Sequence, residues 1–295
     1  MTPARRVQLQ NEELVGFWTA VLDPSGIGLA AALASELAAF SHESIDVVLF
    51  RMRTAQEAFN EHWRRSQVNV TDADSVAAFY RDQFVEAYEL ANWHAGGSGP
   101  LPLNYARAAH LARTFGWRRA LDFGSGIGSG ALCLSAAGCT VDCADVARQL
   151  LAFAHYRLAR RGIAGSTIDL SAGMRPKTRY YDVVTCFDVL EHVPDQFAKL
   201  SELETYLRPG GVLLVNLMAD STAGNHAMHI SSAGDRLSLI RRTGLIPEWG
   251  LFDGDMQALK KTRLARVRNL IGSVIDRLQA ASRDGAGRMP SPQGS

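Results

Sequence analysis

Residues 120–130 read ALDFGSGIGSG, with a glycine at positions 124, 126, 128 and 130. A short apolar run enters this stretch, and an apolar helical pattern leaves it. Glycines permit a turn with positive φ and let a ligand approach the backbone with no Cβ in the way. The helix that follows offers unpaired N–H groups at its N-terminus. The stretch therefore predicts a strand–turn–helix unit that holds a nucleotide-like ligand at the carboxyl end of the strand.

Short apolar runs alternate with helical patterns after this unit as well. Such alternation is typical of an α/β fold with a parallel sheet. We predict a doubly wound, mainly parallel, Rossmann-like sheet with strands at Ala120–Phe123, Thr140–Ala144, Ser166–Leu170, Asp182–Phe187 and Val212–Leu217. The intervening helices are predicted at Ser129–Ala137, Val146–Arg160 and Asp195–Leu207. A proline precedes the last helix and a Pro-Gly-Gly run follows it, which marks both of its ends.

Composition divides the chain into four parts. Residues 1–100 carry helical signals and end in a Gly- and Pro-containing breaker, so they are predicted to form an N-terminal helical cap over the substrate. Residues 101–255 are the predicted ligand-binding core. Residues 256–283 are predicted as a C-terminal amphipathic helix, because apolar residues recur there every three or four positions beside a basic side. Residues 284–295 are rich in Gly, Pro and Ser and are predicted to be disordered.

Charge and hydropathy limit the functional classes. The 295 residues are 47% hydrophobic and 21% charged, and the formal net charge is +1. This balance gives no argument for a nucleic-acid substrate, and no run of 18 apolar residues predicts a membrane span. The N-terminus does not resemble a signal peptide, and the four cysteines form no C-x-x-C pair. We therefore expect free thiols and a cytoplasmic protein.

Two acids narrow the identity of the ligand. Asp145 ends the second predicted strand, where a carboxylate can accept both hydroxyls of an adenosine ribose. That acid suits a nicotinamide dinucleotide and S-adenosylmethionine alike, and the glycines also satisfy a relaxed dinucleotide pattern. Asp122 precedes the glycines, where a carboxylate would repel a pyrophosphate but would neutralise the ammonium of an amino-acid tail. The other interpretation of Asp122 is that it only hydrogen-bonds amides of the turn.

Four motifs resemble those of class I S-adenosylmethionine-dependent methyltransferases, in the same order and with ordinary spacing. They are Asp122–Gly128, the ribose-binding acid Asp145, Tyr181–Asp195 and Leu207–Asn216. The resemblance covers residues 118 to about 250 and implies a methyltransferase core that uses S-adenosylmethionine as cofactor. It places the cofactor contacts at Asp122, Gly124, Gly126, Gly128, Asp145, Val146, Ser171, Phe187 and Asp188. Ser171 departs from the family pattern, in which an acid after the third strand binds the adenine amine.

Glu191 and His192 are the candidate catalytic residues, because they follow the fourth predicted strand where it ends over the cofactor. Histidine has an intrinsic pKa suited to a general base near neutral pH. An alcohol or phenol acceptor must lose a proton, and an amine acceptor must arrive unprotonated. The alternative interpretation is that this pair caps the next helix and shapes the loop.

The pattern Asp188-x-x-Glu191-His192 also resembles one that some branches of the family use to hold a divalent cation. Those branches include ubiquinone-pathway O-methyltransferases and small-RNA 3′-terminal methyltransferases. His226 or His229 would complete such a site, and carboxylates with imidazole suit magnesium or manganese. Aspartate is shorter than the usual glutamate at 188, and the same pattern recurs in branches without a metal, so no metal is predicted.

A small-molecule methyl acceptor is predicted, because a helical cap can enclose a pocket. Tyr80, Tyr88, Trp93 and His94 are candidates for its lining, although most aromatics in such a run pack in the core. An RNA methyltransferase steered by the basic C-terminal helix is one alternative, and an NAD(P)-dependent oxidoreductase that uses the same glycine-rich turn is another. A non-enzymatic cofactor-binding protein is the third, since a fold alone does not determine activity.

Overall fold

Five of the seven described strands of the central sheet, β1 to β5, form where the sequence predicts strands. The computed structural model of the chain describes residues 11–97, 99–217, 228–230, 240, 242–248 and 256–262. Its strands are β1 (Arg119–Phe123), β2 (Thr140–Asp145), β3 (Gly165–Asp169), β4 (Tyr181–Cys186), β5 (Leu207–Asn216), β6 (Leu245–Pro247) and β7 (Met256–Lys261). They pair in the order β3-β2-β1-β4-β5-β7-β6. Strands β1 to β5 are parallel to their neighbours, while β7 is antiparallel to both β5 and β6.

Helices cover both faces of this sheet, which confirms the predicted doubly wound α/β fold. The described helices are α1 (Asn11–Leu22), α2 (Leu29–Ser41), α3 (Ile45–Ser66), α4 (Ala73–Arg81), α5 (Val85–Ala95), α6 (Pro100–Phe115), α7 (Ser129–Ala136), α8 (Arg148–Arg160) and α9 (Gln196–Tyr206). One core lies between the sheet and α1, α6 and α7, and a second lies between the sheet and α9. All six residues of β4 are buried, as expected for a strand covered on both faces.

The N-terminal helices pack on the core at one place in particular. Apolar residues of α2, α3 and α5 form a cluster with Ile127 of the glycine-rich turn and with the first half of α8. Beside this cluster, Glu36 of α2 forms ion pairs with Arg157 and Arg161 of α8. Arg157 is fully buried. The cap is therefore joined to the core both by apolar packing and by a buried charge.

The predicted C-terminal helix at 256–283 is wrong for residues 256–261, which form β7. Met256 pairs with Asn216, and Lys260 pairs with Val212, so the segment covers an edge of β5 that would otherwise be unpaired. Met256, Ala258 and Leu259 are buried in the sheet, and the helical periodicity of the sequence does not reveal this long-range pairing. The rest of the predicted helix, the tail at 284–295 and His226 lie outside the described residues. None of the described helices is long and apolar enough to cross a membrane.

Candidate active site

The glycine-rich turn connects β1 to α7 and is tightly enclosed. Gly124, Gly126 and Gly128 all have positive φ, at 71°, 48° and 76°. A Cβ at Gly124 would lie 2.2 Å from Val189 Cγ2, and one at Gly126 would lie 2.8 Å from Leu90 Cδ1 in the cap. These positions therefore exclude side chains both by backbone conformation and by lack of space.

Asp145 ends β2 and closes the turn from the other side. Its Oδ2 accepts a hydrogen bond from the Gly126 amide at 2.8 Å, and its Oδ1 accepts one from the Ala147 amide at 2.9 Å. Burial raises the pKa of this carboxyl, while the backbone amides oppose the rise. A carboxylate offers about four lone-pair sites, so Asp145 can accept further hydroxyl donors.

Asp122 lies in the middle of the sheet and is completely buried. Its Oδ1 accepts hydrogen bonds from Thr185 Oγ1 at 2.8 Å and from Tyr105 Oη at 3.2 Å. Its Oδ2 has no hydrogen-bond partner among the described residues. Burial raises the pKa of Asp122 to about 6. The carboxyl group is thus firmly held by one oxygen and has a free acceptor at the other.

A cavity of about 350 Å³ opens at the carboxyl ends of β1 and β4, between which the strand order reverses. This is where doubly wound folds bind their ligands, and the volume is within the usual range for small-molecule sites. The predicted site residues that line it are Gly124, Gly126, Asp145, Val146, Phe187, Asp188 and His192. Four others do not line this cavity: Asp122, Gly128, Ser171 and Glu191.

The cap supplies a further part of the lining. Tyr80 and His94 face the cavity as expected, and Glu86 joins them. Tyr88 and Trp93 are not among the lining residues. The Tyr88 hydroxyl instead donates to Glu43 Oε2 at 2.5 Å, on the far side of α5.

Ser171 follows β3 in a short 3-10 turn, and its hydroxyl donates to Asp169 Oδ1 at 2.5 Å. Its neighbour Leu170 lines the cavity. The adenine contact assigned to Ser171 remains a prediction, and an apolar contact with Leu170 is the one that this geometry favours.

His192 is oriented by two neighbours. Its Nδ1 lies 3.1 Å from the carbonyl oxygen of Met228 and 3.2 Å from Tyr80 Oη. A carbonyl oxygen can only accept a hydrogen bond, so the proton of a neutral His192 resides on Nδ1. Nε2 then carries the lone pair, which is the arrangement that a general base or a metal ligand requires.

Glu191 is buried beside His192, and its Oε2 has no hydrogen-bond partner among the described residues. Burial, with a smaller effect from Asp188, raises the pKa of Glu191 to about 8. Ligand atoms of Glu191, His192 and His229 lie within 4.8 Å of one another. Asp188 is not part of this group; its amide donates to Asn216 Oδ1 at 2.8 Å, and its Oδ1 accepts from Asn216 Nδ2. The structure thus assembles three of the predicted potential ligands.

Several residues that organise the site were not predicted. Arg157 donates from Nη1 to the Ile127 carbonyl at 2.6 Å and to Ser129 Oγ at 2.9 Å, and so holds the start of α7. Tyr105 and Thr185 fix Asp122 in the same way. The only local signal for Arg157 is a basic residue within the apolar pattern of α8, which is a weak one because such residues are usually exposed.

Comparison with known proteins finds that the core of the chain is similar to methyltransferases. Residues 121–213 match the family model described as a methyltransferase domain. The ubiquinone biosynthesis O-methyltransferase of Vibrio cholerae is 34% identical over 116 residues, which are 38% of this chain and 46% of that protein. The protein of the same name from Xanthomonas axonopodis is 29% identical over 170 residues, 54% of this chain and 65% of that protein. The chain thus spans less than two thirds of the length of these curated relatives.

Among solved structures, the cyclase SpnF is 16% identical with a TM-score of 0.44, over 55% of this chain and 82% of that chain. A likeness this distant does not bear on activity.

Proposed function

We propose that this chain transfers a methyl group from S-adenosylmethionine to a small molecule, because residues 121–213 match a methyltransferase domain and the site motifs resemble those of the class I family. The observation that carries the proposal is the glycine turn held against Asp145 at the floor of the cavity. When bound, the cofactor supplies a methyl group on a positively charged sulfur. The protein then has to align the acceptor and exclude water.

The residues present fit this cofactor. No side chain fits at the enclosed glycines, so a ligand would contact the backbone of the turn there. Asp145 has lone pairs for the two ribose hydroxyls. Val146, which follows Asp145, and Leu170, which follows the neighbouring strand β3, provide apolar lining for an adenine ring, while Phe187 lines the cavity after β4. The free oxygen of Asp122 is an acceptor for an ammonium group, although this side chain lies behind the cavity wall.

Oxygen is the favoured acceptor atom, because the curated relatives are named as O-methyltransferases. An alcohol or phenol has to lose its proton during transfer. His192 Nε2 carries a lone pair and belongs to a residue that lines the cavity, so we assign it the role of base. Tyr80 and the Met228 carbonyl hold the ring from its other nitrogen.

A divalent cation held by Glu191, His192 and His229 is the second candidate for activating an acceptor oxygen, favoured by the 4.8 Å grouping of their ligand atoms. Such an ion would act as a Lewis acid. Chelation followed by titration with manganese distinguishes the two: loss and recovery of turnover supports the ion, and unchanged turnover supports His192 alone.

Thermal unfolding tests the proposed function. The unfolding temperature of the chain is measured without ligand, with S-adenosylhomocysteine and with NAD. A ligand at a hundred times its dissociation constant adds about 2.7 kcal/mol to the free energy of unfolding. Stabilisation by S-adenosylhomocysteine alone is the expected result, and stabilisation by NAD alone would refute the proposal in favour of an oxidoreductase.

A further inference from the structure

His94, at the end of α5, brings a ring nitrogen from the cap to the cavity. The side chain is 3% exposed and lines the cavity. Its Nδ1 lies 2.9 Å from Ser129 Oγ, the first residue of α7. Its Nε2 is buried and has no hydrogen-bond partner among the described residues. An orphaned polar atom in this position needs an explanation, because buried polar atoms are nearly always paired.

The neighbours of His94 favour one of the two neutral tautomers of its ring. Arg157 Nη1 donates to Ser129 Oγ at 2.9 Å, and an arginine can only donate. The hydroxyl proton of Ser129 is therefore free to point at His94 Nδ1, which accepts it. We assign the proton of the neutral ring to Nε2, the tautomer in which Nδ1 accepts the Ser129 proton. Burial, together with the charge of Arg157, lowers the pKa of His94 to about 3, so the ring is neutral at physiological pH.

The ring is also fixed in orientation. The Trp18 indole donates to the His94 carbonyl at 3.1 Å and meets the imidazole edge-on at a centroid distance of 5.4 Å. His94 thus presents a preorganised N–H donor that needs an acceptor from a ligand.

The surroundings indicate an anionic acceptor. Because Ser129 begins α7, His94 lies at the positive end of that helix dipole, next to the buried charge of Arg157. The Trp18 ring stacks on Tyr105, whose hydroxyl holds Asp122. One region therefore contains an orphaned donor on His94 and an orphaned acceptor on Asp122. These two groups complement the carboxylate and the ammonium of a free amino acid.

We propose that His94 Nε2 donates a hydrogen bond to the α-carboxylate of the methionine moiety of the cofactor, and so is a cofactor-positioning residue supplied by the cap. This inference rests on the proposed function. It makes His94 a cap residue that contacts the amino-acid tail of the cofactor and not its adenosine.

The test uses two ligands that differ in the tail. Calorimetry measures the affinity of the whole chain for S-adenosylhomocysteine and for 5′-methylthioadenosine, which lacks the amino-acid tail. The substitution His94→Asn can keep a polar atom near the Nδ1 position and deletes the Nε2 donor, whereas His94→Gln can place an amide N–H near Nε2. His155→Asn, at an exposed histidine on α8, is the control.

His94→Asn is expected to weaken S-adenosylhomocysteine binding about tenfold to a hundredfold, as for a hydrogen bond to a charged group. It should leave 5′-methylthioadenosine binding within about twofold, and His94→Gln should restore most of the loss. Equal loss for both ligands, or loss for neither, would overturn the role of His94. Failure of the unaltered chain to bind S-adenosylhomocysteine at all would instead refute the proposed function itself.

Discussion

The cavity has two walls of different construction. The sheet wall includes the glycine turn at Gly124 and Gly126, which offers only backbone, and the carboxylate of Asp145. The cap wall consists of side chains, among them Tyr80, Glu86 and His94. The sheet wall uses groups whose positions are fixed by strand ends and turns. The cap wall depends on how separate helices pack. The sheet wall is suited to a common cofactor. The cap wall is suited to a variable acceptor and, through His94, to the amino-acid tail of the cofactor.

The two walls are not independent, because a buried arginine connects them. Arg157 pairs with Glu36 of the cap at 2.8 Å and also holds Ile127 and Ser129 at the start of α7. A change at this contact should therefore affect the shape of both walls, whereas a change elsewhere in one wall should act on the groups that line that wall.

The substitution with the largest expected effect is Gly124→Ala in the sheet wall. It combines a positive φ of 71° with a Cβ 2.2 Å from Val189 Cγ2, so the turn has to move. Calorimetry should show that S-adenosylhomocysteine binding falls at least about a hundredfold. The control is Gly162→Ala, which has a similar φ of 63° but open space around it. Retained binding in Gly124→Ala would show that the turn does not form the cofactor site.

An effect of comparable size, on stability and not on binding, is expected where the walls join. Glu36→Gln leaves the guanidinium of Arg157 buried without its carboxylate, and breaking a buried ion pair costs about 3–5 kcal/mol. Urea denaturation should show this loss in the free energy of unfolding. Glu61→Gln removes two exposed ion pairs, to Arg64 and Arg65, and should cost less than about 1 kcal/mol. Equal losses in the two variants would mean that the cap is not held by this contact.

The same contrast explains which features the sequence predicts. The glycine turn, Asp145 and the five parallel strands follow from patterns within short segments, so they could be predicted. The pairing of β7 with β5 could not, because it joins residues 40 or more positions apart whose own periodicity does not indicate it. The orientation of His94 likewise depends on Ser129, 35 residues away, and on Arg157. Local patterns specify the sheet wall, while the cap wall needs the tertiary structure.

His192 lies between the walls, and its role as a base should appear in turnover. His192→Asn can keep a donor to the Met228 carbonyl while it deletes Nε2. Release of S-adenosylhomocysteine with a phenol or catechol acceptor should fall about a hundredfold, the lower end of the effect of a general base. Cofactor affinity should stay within about twofold. Tyr80→Phe, which removes only a supporting hydroxyl, is the control and should have a smaller effect. Full turnover in His192→Asn would leave this histidine with a structural role only.

The smallest effect concerns the stability cost of Asp122, which lies behind the sheet wall. Burial raises its pKa from 3.8 to about 6, so the carboxyl is protonated more readily in the folded than in the unfolded protein and is ionised at a cost above pH 6. The stability that this group contributes is complete below pH 4 and is lost as the pH rises through 6. Asp122→Asn removes this dependence. The free energy of unfolding of Asp122→Asn is compared with that of the unaltered chain at pH 5 and at pH 7.5. The difference between the two proteins should be about 1.5 kcal/mol larger, in favour of the variant, at pH 7.5.

Chemical denaturation at the two pH values measures this difference, and Asp46→Asn, at an exposed aspartate of α3, is the control. The affinity of Asp122→Asn for S-adenosylhomocysteine should fall while its stability rises, because the amide cannot neutralise an ammonium group. A variant that is more stable at pH 7.5 yet binds S-adenosylhomocysteine more weakly would show that the sheet wall keeps a destabilising charge for its ligand. A variant with unchanged affinity would assign Asp122 to the hydrogen bonds of Thr185 and Tyr105 alone.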